Sequence, residues 1–173
     1  MGDTLITVVA IFLAAILMFV FPLMSVSDRS DDISQLSVQA STVEFVDKVR
    51  TTGKLTMDDY SKFVQTISST GNSYDVEMEI KVLDENPGKK AAQGSVDKIG
   101  ENVYYTMYTS QILDELESNK KKALKEGDIF TVNVKNTNTT ISQLLRNFFY
   151  KVSGNDTYQV SAQHTGIVTV NGK

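Results

Sequence analysis

The chain has 173 residues, with 17 Lys and Arg against 21 Asp and Glu, a net charge of −4, no Cys, no Trp, one His and two Pro. An acidic balance argues against a nucleic-acid binder that works by phosphate neutralisation, and the missing Cys excludes disulfide frameworks, zinc ribbons and thiol nucleophiles. No nucleophile-elbow, phosphate-cradling or dinucleotide glycine pattern occurs, so nothing in the sequence names a reaction.

Apolar residues are unevenly placed, and no charge stands between Thr4 and Ser27. The 20 residues Leu5 to Met24 include 13 Leu, Ile, Val or Phe. As a helix they span about 30 Å, the thickness of a bilayer hydrocarbon core, and gain about 4–8 kcal/mol on insertion. Thr7 is the main polar exception, and its hydroxyl can bond back to the helix. A cleavable secretory signal is the rival, because Ser25-Val26-Ser27 after Pro22 has the small-x-small form of a cleavage site. Against it, Met1-Gly2-Asp3 carries no Lys or Arg and the apolar run is too long, while Ile6 stands where lipidation after Gly2 needs Ser or Thr. A retained anchor or packing helix is therefore expected over residues 1–27. Charge does not set its orientation, since Arg29 among Asp28, Asp31 and Asp32 is the only nearby basic residue. Abundant Ser, Thr and Asn and the absence of Cys place the C-terminal part outside the cell. The sequons at Asn138 and Asn155 carry no weight in so Asn- and Thr-rich a chain.

Ile33, Leu36, Ala40, Val43, Val46 and Val49 recur at spacings of three and four and predict an amphipathic helix over 28–53, closed by Gly53 as a left-handed cap. It either continues the apolar segment as one helix from Thr4 to Arg50, kinked at Pro22, or follows a short hinge at Ser25 to Ser30. Residues 54–173 are expected to form an α+β head. Thr56 with Asp59 makes a capping box, and Leu55 and Tyr60 a hydrophobic staple, for a helix burying Tyr60, Phe63, Val64 and Ile67 and ending at Gly71. Tyr74 to Val82 alternates apolar and charged residues as a half-wet strand does. Asp84 to Gly100 reads as a long loop, and Asn102 to Met107 as a short strand. A helix from Thr109 buries Ile112, Leu113, Leu116 and Ala123 and stops at Gly127. Asp128 to Lys135 predicts a strand, Thr140 with Gln143 caps a helix burying Ile141, Leu144, Leu145, Phe148 and Phe149, and a last strand runs from Tyr158 towards Val170. The helix-to-strand joints at Gly71-Asn72 and Gly154-Asn155 look alike, as a glycine cap followed by a tight turn dictates. The expected architecture is α+β: a long apolar-to-amphipathic N-terminal helix, then a small antiparallel sheet with helices packed on one face.

Candidates for chemistry are few. His164 lies in a predicted strand in phase with Val160 and Ala162, the position of a structural histidine rather than a base. Neither zinc nor calcium spacing is present, and no cofactor is indicated. Lys120 to Lys122 with Lys125 end an acidic helix and suit a solvated face, while Tyr104, Tyr105 and Tyr108 suit packing at a sheet edge. More informative are Thr7, Ala10, Ala14 and Ala15, small residues at three- and four-residue spacing that permit close helix contact. With Leu5, Met18, Phe21 and Pro22 they are the candidate packing residues of the apolar helix.

An uncharged helix of one bilayer length that runs into an amphipathic helix and a small α+β head resembles type IV pilin-like proteins and the pilin-like accessory subunits of tight-adherence secretion systems. The resemblance implies that the apolar half anchors the subunit in the membrane before assembly and becomes the filament core afterwards, with the head as the surface; Pro22 is in character. The family's Glu near the start of the mature helix has no counterpart, since cutting after Gly2 puts Asp3 first and Thr7 fifth. The leading expectation is a non-enzymatic subunit of a surface filament or pilus-like secretion apparatus. Its partners are membrane lipid and copies of itself or related subunits, with no nucleic acid and no small-molecule substrate. The alternatives are a single-pass anchored extracytoplasmic binding or sensor domain, and a membrane-anchored hydrolase built on paired carboxylates.

Overall fold

The computed structural model describes residues 2–84, 104–139, 144 and 160–172. In chain order it consists of α1 (Gly2–Thr52), β1 (Lys54–Thr56), α2 (Met57–Ser68), β2 (Tyr74–Leu83), β3 (Tyr104–Tyr108), α3 (Thr109–Asn119), β4 (Lys121–Ala123), β5 (Ile129–Asn136) and β6 (Ser161–Ile167). The class is α+β, with a long N-terminal helix before a small antiparallel sheet. The chain divides into two units, Met1–Leu36 with Asn138–Val160 and Ser37–Thr137 with Ser161–Lys173. Helix α1 passes unbroken through Pro22 and through Ser25 to Ser30, so helix stands where a hinge was one of the two expectations.

In the second unit the last turns of α1 bury Val38, Thr42, Phe45, Val46 and Val49. This corrects the expected stripe: Val46 and Val49 are inside, but Ile33, Leu36 and Ala40 are exposed and Val43 is half-buried. Phe45 explains the rotation. Its ring stacks on Phe63 of α2 with centroids 4.5 Å apart and meets Phe130 of β5 edge-on at 5.8 Å, so the face that carries the largest ring turns inward. The helix ends as the sequence predicts. Gly53 has φ +65°, its amide donates to the Val49 carbonyl at 2.9 Å, and a Cβ there would collide with the Val170 carbonyl and the Gly172 amide.

Helix α2 starts at the predicted Thr56 cap, with half of the expected box: the Thr56 hydroxyl accepts from the Asp59 amide at 3.1 Å, but the Asp59 carboxylate takes that hydroxyl at 2.6 Å instead of the Thr56 amide. Phe63 and Ile67 are buried, with Tyr60 and Val64 half-buried. Helix α3 is shorter than expected. It closes at Lys120, in the left-handed conformation, whose amide donates to the Leu116 carbonyl at 2.8 Å. The chain then forms β4, antiparallel to β1, so Ala123 is an exposed strand residue and Gly127 belongs to the turn before β5. The ladder between β1 and β4 takes the backbone groups that a longer helix would have used internally. Three residues on each side are too few to show a period of two.

The main sheet has the order β3-β2-β5-β6 and is antiparallel throughout. Its inner face presents Val76, Met78 and Ile80 of β2, Phe130, Val132 and Val134 of β5, and Ala162 of β6, all buried. These join the buried residues of α1, α2 and α3 in one core. Thr109 at the head of α3 pins that helix to β2, its hydroxyl accepting from the Met78 amide at 2.7 Å and donating to the Met78 carbonyl at 3.1 Å. Asp128 is buried yet satisfied, because its carboxylate accepts from the amides of Leu83 at 2.9 Å and Lys125 at 2.8 Å. Strand β3 takes up the predicted strand from Tyr104, while its expected first residues Asn102 and Val103 lie outside the described residues. All of the expected loop from Asp84 to Gly100 except Asp84 lies outside the described residues, as do the caps Thr140 and Gln143, the helix residues Ile141, Leu145, Phe148 and Phe149, the turn at Gly154-Asn155 and the start of the last strand at Tyr158. Leu144, which is described, is 63 % exposed rather than buried.

Candidate functional site

Helix α1 begins as an apolar cylinder. Leu5, Ile11, Phe12, Met18 and Phe21 are 68, 65, 69, 76 and 61 % exposed, and Thr7, Ala10, Ala14, Ala15 and Pro22 are exposed as well. Seven of the eight candidate packing residues lie on one half of the helix, with Leu5 apart from them, and the described chain covers none of the eight. A helix that is apolar all round is at home in a protein core or a membrane, not in water. Its polar groups are already settled for such surroundings: the Thr7 hydroxyl donates to the Asp3 carbonyl at 2.7 Å, and the backbone bonds run within the helix. Pro22 brings no N–H and leaves the Met18 carbonyl without its helical donor, the sole irregularity that its chemistry demands. Among the described residues this is the one helix long and apolar enough to cross a membrane, as a single-pass anchor requires.

Beside a hollow of about 320 Å³ bounded by Val82, Leu83, Tyr105, Lys122 and Asp128, the second unit offers two further concavities. One, of about 160 Å³, lies between α1 and α2, floored by Phe45 and Phe63 and edged by Glu44, Lys48, Asp59 and Lys62. Burial pushes the Asp59 carboxyl up, but the hydrogen bonds from Lys48 and Thr56 and the charges of Lys48 and Lys62 outweigh it and hold the group below its ordinary value. The other, of about 580 Å³, is the open outer face of the sheet, where Glu77, Glu79, Tyr108, Thr131, Asn133 and Gln163 come together. Glu77 there accepts from Lys135 at 3.1 Å and from Asn133 at 2.7 Å, and these bonds hold its carboxyl low. Two carboxylates thus share one hollow. Glu77 is shifted in the direction opposite to that of a general acid, and Glu79 faces Lys81 at 3.6 Å.

His164 sits on β6 in phase with Val160 and Ala162, its ring one-third exposed and its Nε2 3.9 Å from the Asp47 carboxylate. Lys122 is not on a solvated helix face. It pairs with Glu115 at 2.7 Å with only 19 % of its side chain exposed. Tyr105 and Tyr108, expected to pack, are 49 and 62 % exposed on β3. Among the described residues no group of three or more His, Asp or Glu side chains is placed to hold a metal ion. Sequence reasoning missed the exposure of Val26, Ile33 and Leu36, which lie beyond the bilayer-length segment and are 71, 60 and 67 % exposed. Compared with protein families, with curated proteins and with solved structures, the chain matches none.

Proposed function

We propose that the chain is a non-enzymatic structural subunit of a pilus-like surface filament or secretion apparatus, assembling through Leu5 to Met24. The carrying observation is that this helix is apolar on every side and uncovered by the described chain. Lipid satisfies it before assembly. Taking it out of lipid is costly unless neighbouring helices supply equally apolar surroundings, as a bundle of copies does. The small residues Thr7, Ala10, Ala14 and Ala15 let such neighbours approach closely, and the α+β part is carried on the outside.

The alternative function is a single-pass anchored binding or sensor domain outside the cell, favoured by the open hollow around Tyr108, Asn133 and Gln163. Shearing the cell surface and viewing the released fraction by negative-stain electron microscopy, with an antibody against the second unit, separates the two. Labelled filaments support the subunit role. Label confined to membranes as isolated particles overturns it and supports the anchored domain.

A further inference from the structure

The outer face of the sheet is ordered in rows. Residues paired across a ladder stand on the same face. Tyr108 of β3, Glu79 of β2, Thr131 of β5 and Thr165 of β6 therefore form one row, with Glu77, Asn133 and Gln163 in the next. Four strands at about 4.8 Å spacing make a row about 14 Å long. Both rows border the hollow of about 580 Å³, a volume within the range of ligand sites. Its charges are already matched. Glu77 is taken by Lys135 at 3.1 Å and by Asn133 at 2.7 Å, and Glu79 faces Lys81 at 3.6 Å. Among the described residues lining it there is thus no spare cation for a phosphate or carboxylate, and no unmatched carboxylate to draw in an amine.

What remains is neutral. Tyr108 presents a ring that is 62 % exposed. The Thr131 and Thr165 hydroxyls share one hydrogen bond at 3.0 Å and keep capacity for others, Asn133 has committed only its amide nitrogen, and Gln163 is exposed with a donor and an acceptor. A flat aromatic face beside uncharged donors and acceptors complements a sugar ring, which carries an apolar C–H face and a rim of hydroxyls. A protein interface is anchored instead by a cluster of large apolar side chains. Among the described residues lining the hollow, Tyr108 is the one large exposed side chain of that kind. We propose that these two rows form a binding site for a neutral oligosaccharide, with the Tyr108 ring as the stacking platform and Thr131, Asn133 and Gln163 as the groups that read its hydroxyls. The site rests on the anchored-domain alternative in using the same hollow, and gives that hollow its ligand class.

Full-length protein in detergent is applied to an array of neutral oligosaccharides that also carries heparin fragments and oligolysine as anionic and cationic probes. Binding to neutral oligosaccharides is expected, and titration with the best of them reads the variants. Tyr108→Ala is expected to weaken binding about tenfold and Gln163→Ala about threefold. Tyr108→Phe, which keeps the ring, and Lys62→Ala, on α2 outside the hollow, are expected to bind as wild type does. Tyr108 and Gln163 are both exposed, so their truncation empties no core, and circular dichroism checks that each variant folds. Binding to heparin or oligolysine alone, binding to no probe, or neutral binding that Tyr108→Ala leaves unchanged overturns the site. Electron microscopy of sheared cells tests the anchored domain separately: membrane particles without oligosaccharide binding keep that domain and remove its ligand, and filaments with oligosaccharide binding do the reverse.

Discussion

Leu5 and Leu55, or Phe12 and Phe45, are the same residues put to opposite use. Leu5 is 68 % and Phe12 69 % exposed, whereas Leu55 is fully buried and Phe45 5 % exposed. The second unit closes its own apolar surface with α1, α2 and α3 against one face of the sheet, and the first leaves a bilayer length of it open. Hydrophobic content alone says only that a surface must be covered. The covering comes from the chain in one unit, and the described residues supply none in the other.

The widest effect comes from breaking the open region. Ala14→Arg puts a charge near the centre of the apolar segment and removes about 2.5–3.5 kcal/mol from an insertion gain of about 4–8 kcal/mol, so the insertion equilibrium constant falls by about two orders of magnitude relative to wild type. Filament formation is expected to be lost altogether, since a helix bundle has no water for the guanidinium. Membrane fractionation and electron microscopy read both outcomes, and normal filaments would contradict the assigned role of the helix. Circular dichroism should meanwhile show the second unit folded. The mirror experiment is Phe130→Ala, which empties the centre of the closed core. It is expected to cost about 3–5 kcal/mol in denaturant unfolding of the full chain in detergent and to leave membrane partitioning unchanged. Loss of both properties in either variant would erase the distinction between the regions.

Gly53 sharpens the comparison at a smaller scale. Gly53→Ala forces a side chain into the left-handed region, at about 1–2 kcal/mol, and drives a Cβ into the segment of Val170 and Gly172. The expected destabilisation of the second unit is about 2–3 kcal/mol, with no change in anchoring, again read from denaturant unfolding. A neutral substitution would mean that the C-terminal strap shifts freely.

What was legible in the sequence follows from how local each signal is. The charge-free stretch, the Thr56 cap, the Gly53 cap and the alternation of β2 depend on neighbours within a few residues, and all stand where they were read. The inward face of α1 did not, because Ile33, Leu36 and Ala40 keep perfect helical spacing and the competing stripe is selected by Phe63 and Phe130, far along the chain. The premature end of α3 has the same origin, since β4 forms only when β1 is beside it. Of the candidate site, Leu5 to Met24 was readable from composition. The exposure of Val26, Ile33 and Leu36 was not readable, because helical spacing alone does not say which face of α1 turns inward.

The smallest effect concerns pH. Burial alone would raise the Asp59 carboxyl, but Lys48, Thr56 and Lys62 together hold it below its ordinary value of 3.8. A carboxyl depressed by folding contributes stability that is fully present above its unfolded value and is lost as pH falls through the lower folded one. The closed unit should therefore weaken in acid as pH falls below the ordinary carboxylate value and through the lowered folded one, Asp59 contributing a small share because Lys48 is half-exposed and solvent-screened. Asp59→Asn keeps the amide that the Thr56 hydroxyl caps and removes the charge, so its unfolding free energy should fall less steeply in acid than that of wild type. Identical acid slopes would show that the Lys48 pair contributes nothing and that packing of Phe45 on Phe63 alone holds α2 to α1.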